Sequence, residues 1–174
     1  MADLASAAQV VDIGAGAGFP GLVLAASLPT ARVDLLEATT RKAAVIARLA
    51  AAAGLANARA IAERAEHWGA RDGAGAYDAV TARAVAPLAV LVEYAAPMLR
   101  EGGVLVCWKG ARDDAEERAG AAAAGILAME PLNAIRAQPF EGARHRHLHT
   151  FRKRGPTPPG FPRRPGMASK RPLA

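Results

Sequence analysis

Val10-Val11-Asp12-Ile13-Gly14-Ala15-Gly16-Ala17-Gly18-Phe19-Pro20-Gly21 decides the fold. Val10, Val11 and Ile13 are apolar and β-branched, as a strand covered on both faces requires. Gly14, Gly16 and Gly18 follow at once and let the backbone turn sharply and approach a ligand closely. Pro20 suits the first turn of a helix, where its missing N–H leaves no bond unmade. Strand, glycine turn and helix start together aim free helix N–H groups and a positive dipole end at whatever binds there.

The dinucleotide fingerprint is G-x-G-x-x-G, and its third glycine would fall where Phe19 stands. The spacing here is G-x-G-x-G, with Asp12 two places before Gly14. This combination resembles motif I of the S-adenosylmethionine-dependent methyltransferases. A carboxylate at Asp12 can help order the loop around a cofactor with a cationic sulfonium and an amino-acid tail. Glu37 ends the apolar stretch Arg32–Leu36 and stands where an acid in a βαβ unit accepts hydrogen bonds from ribose hydroxyls. A solvated strand-end carboxylate is the plainer reading of Glu37. Nicotinamide and methionine cofactors both carry a ribose, so Glu37 supports nucleoside binding without choosing between them.

Working outward, strands are expected at Gln9–Ile13, Arg32–Leu36, Ala58–Ile61, Tyr77–Ala82 and Val104–Lys109. Helices are expected at Phe19–Leu28, Thr40–Ala53 (capped by Thr39 or Thr40, stopped at Gly54), Glu66–Trp68, Pro87–Leu99 and Asp113–Ala124. Such alternation implies an α/β fold: a Rossmann-like, mostly parallel sheet with helices on both faces and right-handed crossovers. Two weaker strands, Met129–Arg136 and Arg144–Lys153, are expected to form an antiparallel pair. Residues 1–154 then make one cofactor-binding domain. Residues 155–174, rich in proline and basic side chains, make an extended C-terminal extension without a helix.

The 174 residues suffice for one domain with a sizeable core. No apolar run is long enough to cross a membrane, and the start Met1-Ala2-Asp3-Leu4 has no basic, signal-like character. The single cysteine, Cys107, excludes an internal disulfide and fits a reducing cytoplasm. Residues 1–143 hold 13 Lys and Arg against 16 Asp and Glu, whereas residues 144–174 hold nine basic residues and no acid. The overall charge of +6 therefore comes from the C-terminal end, a distribution that suits a polyanion such as nucleic acid. His145, His147 and His149 alternate and would share a strand face, but no Cys or Asp stands at ligand spacing, so no metal is expected. Trp68 and Trp108 are read as packing residues.

Ligands of such sheets bind at the carboxyl ends of the strands. That edge holds Ala65-Glu66 after strand three, Arg83 after strand four and Lys109 after strand five. Glu66 suits the amino group of an adenine ring, or a helix cap. Arg83 stands where an arginine is more often functional than core.

The residues now match a family. IGAGAGFPG (13–21), RAE (64–66), TARAVAPL (81–88), WKG (108–110) and PTPPGFPRRPGMASKRPL (156–173) resemble the RsmG family, also called GidB. The resemblance implies transfer of a methyl group from S-adenosylmethionine to guanine N7 of small-subunit (16S) ribosomal RNA, by a cytoplasmic, monomeric, metal-free enzyme. It places cofactor contacts on Gly14, Phe19, Ala65, Glu66 and Arg83, with Gly16 and Gly18 in the same loop and Glu37 at the ribose. It places RNA-side basic residues on Arg41, Lys42, Arg64, Lys109 and Arg144. Arg163 and Arg164, in its C-terminal signature, are expected to touch RNA as well. The family carries a helical segment before strand one, where this sequence has eight residues. A truncated, non-catalytic RNA-binding homologue is therefore a second reading. A nicotinamide-dependent oxidoreductase is a third, disfavoured by the glycine spacing and Asp12.

Overall fold

The computed structural model describes residues 2–138 and 140–174, with the side chains of Ala2 and Asp3 left aside; Met1, part of the N-terminal reading above, lies outside the described residues. A short helix α1 (Ala2–Ala5) leads into β1 (Gln9–Ile13), α2 (Gly21–Ser27), β2 (Arg32–Leu36), α3 (Thr40–Ala52), β3 (Ala58–Ile61) and α4 (Ala65–Gly69). There follow β4 (Tyr77–Arg83), α5 (Leu88–Ala95), β5 (Leu99–Lys109), α6 (Asp114–Ile126), β6 (Met129–Pro131), β7 (Ile135–Arg136), β8 (His147–Lys153) and α7 (Met167–Lys170).

These strands form one sheet in the order β3-β2-β1-β4-β5-β8-β6, with β7 also paired to β8. The first five strands are mutually parallel, and β8 runs antiparallel beside β5. Alternation along each strand divides the core in two. Val11, Ile13, Val80, Leu105 and Phe151 face α4, α5, α6 and α7. Val10, Val33, Leu35, Val104 and Val106 face α1, α2 and α3. The order reverses at β1, whose neighbours are β2 and β4, so the crevice for a ligand opens at the carboxyl ends of these strands.

Several boundaries differ from expectation for local reasons. Helix α2 starts at Gly21, not Phe19, because the buried Asp12 carboxylate accepts the Gly21 N–H at 2.9 Å and caps the helix there. Helix α5 stops at Ala95 rather than Leu99: Ala96 still holds helical angles, but Pro97 has no N–H with which to carry the hydrogen-bond ladder on. Leu99 instead begins β5, pairing with Tyr77 across a bulge. The expected strand 129–136 is split into β6 and β7 after Pro131, which has no N–H for a ladder. The expected strand from Arg144 starts only at His147; His145 adopts φ +53°, so only His147 and His149 share the strand face.

The extension departs most. It was expected to be free of helix, yet α7 forms in the proline-free stretch between Pro165 and Pro172. Ala168 on that turn is 1% exposed and joins the core beside α5. All eight residues of α5 are buried, Glu93 included. A helix apolar all round needs cover on every side, and the extension supplies the last of it. Lys153, also buried, starts this path by donating to the Leu127 carbonyl at 2.7 Å and to Thr157 Oγ1 at 2.8 Å.

Candidate cofactor and acceptor site

The loop between β1 and α2 is held open by its own acids. Asp12 Oδ2 accepts from Gly21 N at 2.9 Å, and Asp12 Oδ1 accepts from Thr81 Oγ1 at 2.8 Å. Burial pushes the Asp12 carboxyl up to about 6, although Thr81, Gly21 and Arg83 all favour its charge. Asp12 therefore shapes the loop from beneath. Glu37 works from the β2 side: its carboxylate accepts from Gly16 N at 3.1 Å and from Thr39 N at 2.9 Å. Burial raises its pKa, but those backbone donors and nearby Lys42 outweigh it and leave Glu37 below the ordinary value. Glu37 is thus a fixed anion at the mouth of the loop, with lone pairs left for a hydroxyl.

The glycines are not equivalent. A Cβ on Gly14 would come within 2.7 Å of Val85, and one on Gly18 within 2.4 Å of Leu22. At Gly16 a Cβ would meet nothing nearer than the Gly14 carbonyl at 3.7 Å, while its φ of +58° still favours glycine. The space above Gly16 is open, which is the form of a cradle for a ligand.

Gly14, Arg64, Ala65 and Glu66 line one cleft of about 160 Å³ together with Val85 and Tyr94. Glu66 is 5% exposed; its Oε2 lies 3.8 Å from Arg64 Nε. Arg83 closes the loop from the other side, its guanidinium 6.0 Å from the centroid of the half-exposed Phe19 ring. The expected cofactor residues therefore converge from four separate βα connections.

Arg83 and Lys109 also line a second cavity, of about 530 Å³, with Trp108, Phe140, Arg146 and His147. Trp108 packs against the core, as expected of it, and its remaining surface forms a wall of this cavity. Arg146 and the 65% exposed Phe140, which had no clear sequence signal, join it from the segment between β7 and β8. Trp68 does pack, donating from its indole to Tyr77 Oη at 2.8 Å. Cys107 is wholly buried, and burial pushes its thiol up, away from nucleophilic use.

The basic residues separate into two groups. Arg41, Lys42, Arg64, Arg144 and Arg164 are exposed. Lys109 is drawn inward by Glu116 at 2.5 Å and the Ala86 carbonyl at 3.3 Å. Arg163 turns away from solvent and binds buried Glu93 through two donors, at 2.7 and 2.5 Å, and the Arg171 carbonyl at 2.9 Å. An RNA-facing role was expected of Arg163, but a guanidinium spent on a buried carboxylate has little left for phosphate. Among the described residues, no three His, Cys, Asp or Glu side chains gather as a metal site would need, and no helix is long and apolar enough to cross a membrane.

Comparisons with known proteins follow the same geometry. Among solved structures, the mitomycin 7-O-methyltransferase MmcR superposes with a TM-score of 0.70 at 17% identity, covering 86% of this chain and 50% of that one. The fibrillarin of Aeropyrum pernix, in complex with natively bound S-adenosyl-L-methionine, superposes with a TM-score of 0.64 at 16% identity, covering 82% and 65%. These establish the Rossmann-like methyltransferase fold. At the level of sequence, the ribosomal RNA small subunit methyltransferase G of Chloroflexus aggregans is 43% identical over 168 residues, covering 95% of this chain and 70% of that protein. Its counterpart in Staphylococcus saprophyticus is 34% identical over 171 residues, covering 98% and 72%. The family model for rRNA small subunit methyltransferase G matches residues 1–148, and the chain belongs to that family.

Proposed function

We propose that this chain transfers a methyl group from S-adenosylmethionine to N7 of a guanine in small-subunit ribosomal RNA, as a metal-independent cytoplasmic monomer. The observation that carries the cofactor is the Glu37 carboxylate bound to the Gly16 N–H, beside open space where a Cβ would stand. An anion fixed there suits two ribose hydroxyls. Glu66, Ala65 and Tyr94 line the cleft that suits adenine, and Phe19 and Arg83 cover the loop. Residues 1–154 hold all these groups, and residues 155–174 add basic charge and packing. When bound, S-adenosylmethionine supplies a methyl group on cationic sulfur; its transfer leaves a neutral thioether and passes the charge to the base.

The acceptor side is the cavity of Arg83, Trp108, Phe140, Arg146 and His147, next to the loop through Arg83 itself. Trp108 and Phe140 offer flat faces for a nucleobase, and Arg83 and Arg146 offer charge to its phosphates. Guanine N7 carries a lone pair and no proton, so the reaction needs no general base. The residues then have one task, to hold N7 in line with the methyl carbon and exclude water. The exposed Arg41, Lys42, Arg64, Arg144 and Arg164 steer and hold the RNA backbone.

The test is transfer of labelled methyl from S-adenosylmethionine to small-subunit ribosomal RNA, free and assembled, followed by chemical cleavage at 7-methylguanine. Label at a guanine N7 is expected. Cofactor binding without transfer to either RNA form would replace this reading with a non-catalytic RNA-binding homologue.

A further inference from the structure

The C-terminal signature reaches the cofactor cleft by a route its sequence does not show. Gly166 N donates to Glu66 Oε1 at 2.8 Å across 100 residues of chain. Gly166 holds φ at +81°, a conformation that favours glycine and begins α7. Three residues earlier, Arg163 is clamped to Glu93 of α5 through both oxygens and to the Arg171 carbonyl at 2.9 Å. On the same helix Tyr94 lines the cleft, and its hydroxyl lies 3.2 Å from Ser169 Oγ on α7. The segment is thus tied at both its ends to α5 and in its middle to Glu66. The other oxygen of Glu66, Oε2, lies 3.8 Å from Arg64 Nε.

We propose that residues 161–171 form a strap that positions the Glu66 carboxylate for the cofactor, with Arg163 as the positioning residue that anchors the strap. A carboxylate can turn about its side-chain bonds. Holding one oxygen on a backbone N–H leaves the other in a single orientation toward the cleft, which removes ordering entropy from the binding step. The strap rests on the reading of Glu66 as a cofactor contact, and the test separates the two.

Affinity for S-adenosylmethionine and S-adenosylhomocysteine is measured by calorimetry on the full chain and on Glu66→Ala, Arg163→Ala and the double variant, each confirmed folded by thermal unfolding. Glu66→Ala should weaken both ligands about tenfold or more, the scale of a lost hydrogen bond to a charged group. Arg163→Ala should weaken them by about three- to tenfold, and the double variant should bind no more weakly than Glu66→Ala alone. Arg48→Ala, exposed on α3 and outside both the strap and the cleft, should match the parent. Arg163→Lys keeps the charge but loses the paired donors and should fall between the parent and Arg163→Ala; it also stands in if Arg163→Ala fails to fold. Losses that multiply in the double variant would overturn the strap, because Arg163 would then act by another path. Weakening by Glu66→Ala with unchanged affinity in both Arg163 variants would overturn it too, leaving the Glu66 contact intact. Unchanged affinity in Glu66→Ala would remove the contact and the strap's purpose together.

Discussion

At the scale of single residues, the glycine loop separates two kinds of glycine that look alike in sequence. Both hold a positive φ, but Gly14 is also crowded by its neighbour Val85, whereas above Gly16 the space is open. Gly16→Ala should therefore lower stability by only about 1 kcal/mol, the strain of a left-handed alanine, yet weaken cofactor binding more than tenfold. Urea unfolding and calorimetry on the same preparation check both parts; unchanged affinity would mean the open space is not the cradle. Asp12 gives a pH prediction. Its carboxyl titrates at about 6 in the folded chain against an ordinary 3.8, so between these values the folded state holds the proton that the unfolded state has lost. Stability from this group is present below pH 4 and falls as pH rises through 6, by about 3 kcal/mol. Asp12→Asn can keep both hydrogen bonds if the Thr81 hydroxyl turns to accept, and it does not titrate. The parent should lose stability relative to Asp12→Asn between pH 4 and 6 in urea unfolding; a gap that stays constant would show that Asp12 is ionised throughout. Most of this site was legible in sequence, because Asp12, the glycines and Glu37 are bound to consecutive strand ends. Phe140, Arg146 and Tyr94 were not, because β8 and α5 bring them in from remote parts of the chain.

At the scale of elements, β1, β2 and β3 end where their apolar runs end, since each is closed by turn chemistry within two or three residues. The elements that escaped reading depend on distant partners. Leu99 enters β5 because Tyr77 pairs with it, and α7 forms because α5 needs cover. Arg163 looked like a surface cation because nothing near it in sequence announces Glu93. The link from sheet to extension is Lys153, whose amine burial pushes down to about 8 while it donates to Leu127 and Thr157. Thr157 passes the connection on to the Ala96 carbonyl at 2.9 Å. Below pH 8 the folded chain buries a cation there. Between pH 8 and the ordinary value of 10.5 the folded state has shed a proton that the unfolded state keeps, so stability from this group rises with pH. Lys153→Met removes the titration and fills the space with an apolar chain of similar length. The parent should gain on Lys153→Met as pH rises from 8 to 10 in chemical unfolding; a gap independent of pH would mean the amine stays charged in the fold.

At the scale of the whole molecule, the chain carries its positive charge unevenly in sequence and unevenly again in space. The nine basic residues after Ala143 do not all face one partner. Arg163 is spent on Glu93, Arg154 on Glu130, and Lys153 is buried. Arg144, Arg146, Arg164, Lys170 and Arg171 are exposed, and Arg146 borders the cavity proposed for the acceptor. Net charge alone therefore overstates the cations available to RNA, and the salt dependence of binding measures how many are truly engaged. Removing one cation from a phosphate of a single-stranded segment flattens the plot of log affinity against log salt by about 0.7. Arg144→Gln and Arg164→Gln together should flatten it by about 1.4 and leave cofactor affinity unchanged. Arg163→Gln should leave the slope where it was, because its guanidinium is already paired, while lowering stability by about 3–5 kcal/mol through the orphaned, buried Glu93. Titration of ribosomal RNA at several salt concentrations, beside thermal unfolding of each variant, separates these outcomes. An unchanged slope in the Arg144/Arg164 pair would move the RNA path off the C-terminal end and toward Arg41, Lys42 and Arg64 on the other side of the glycine loop. A flattened slope in Arg163→Gln would instead show that the Glu93 pair opens to admit phosphate when RNA arrives.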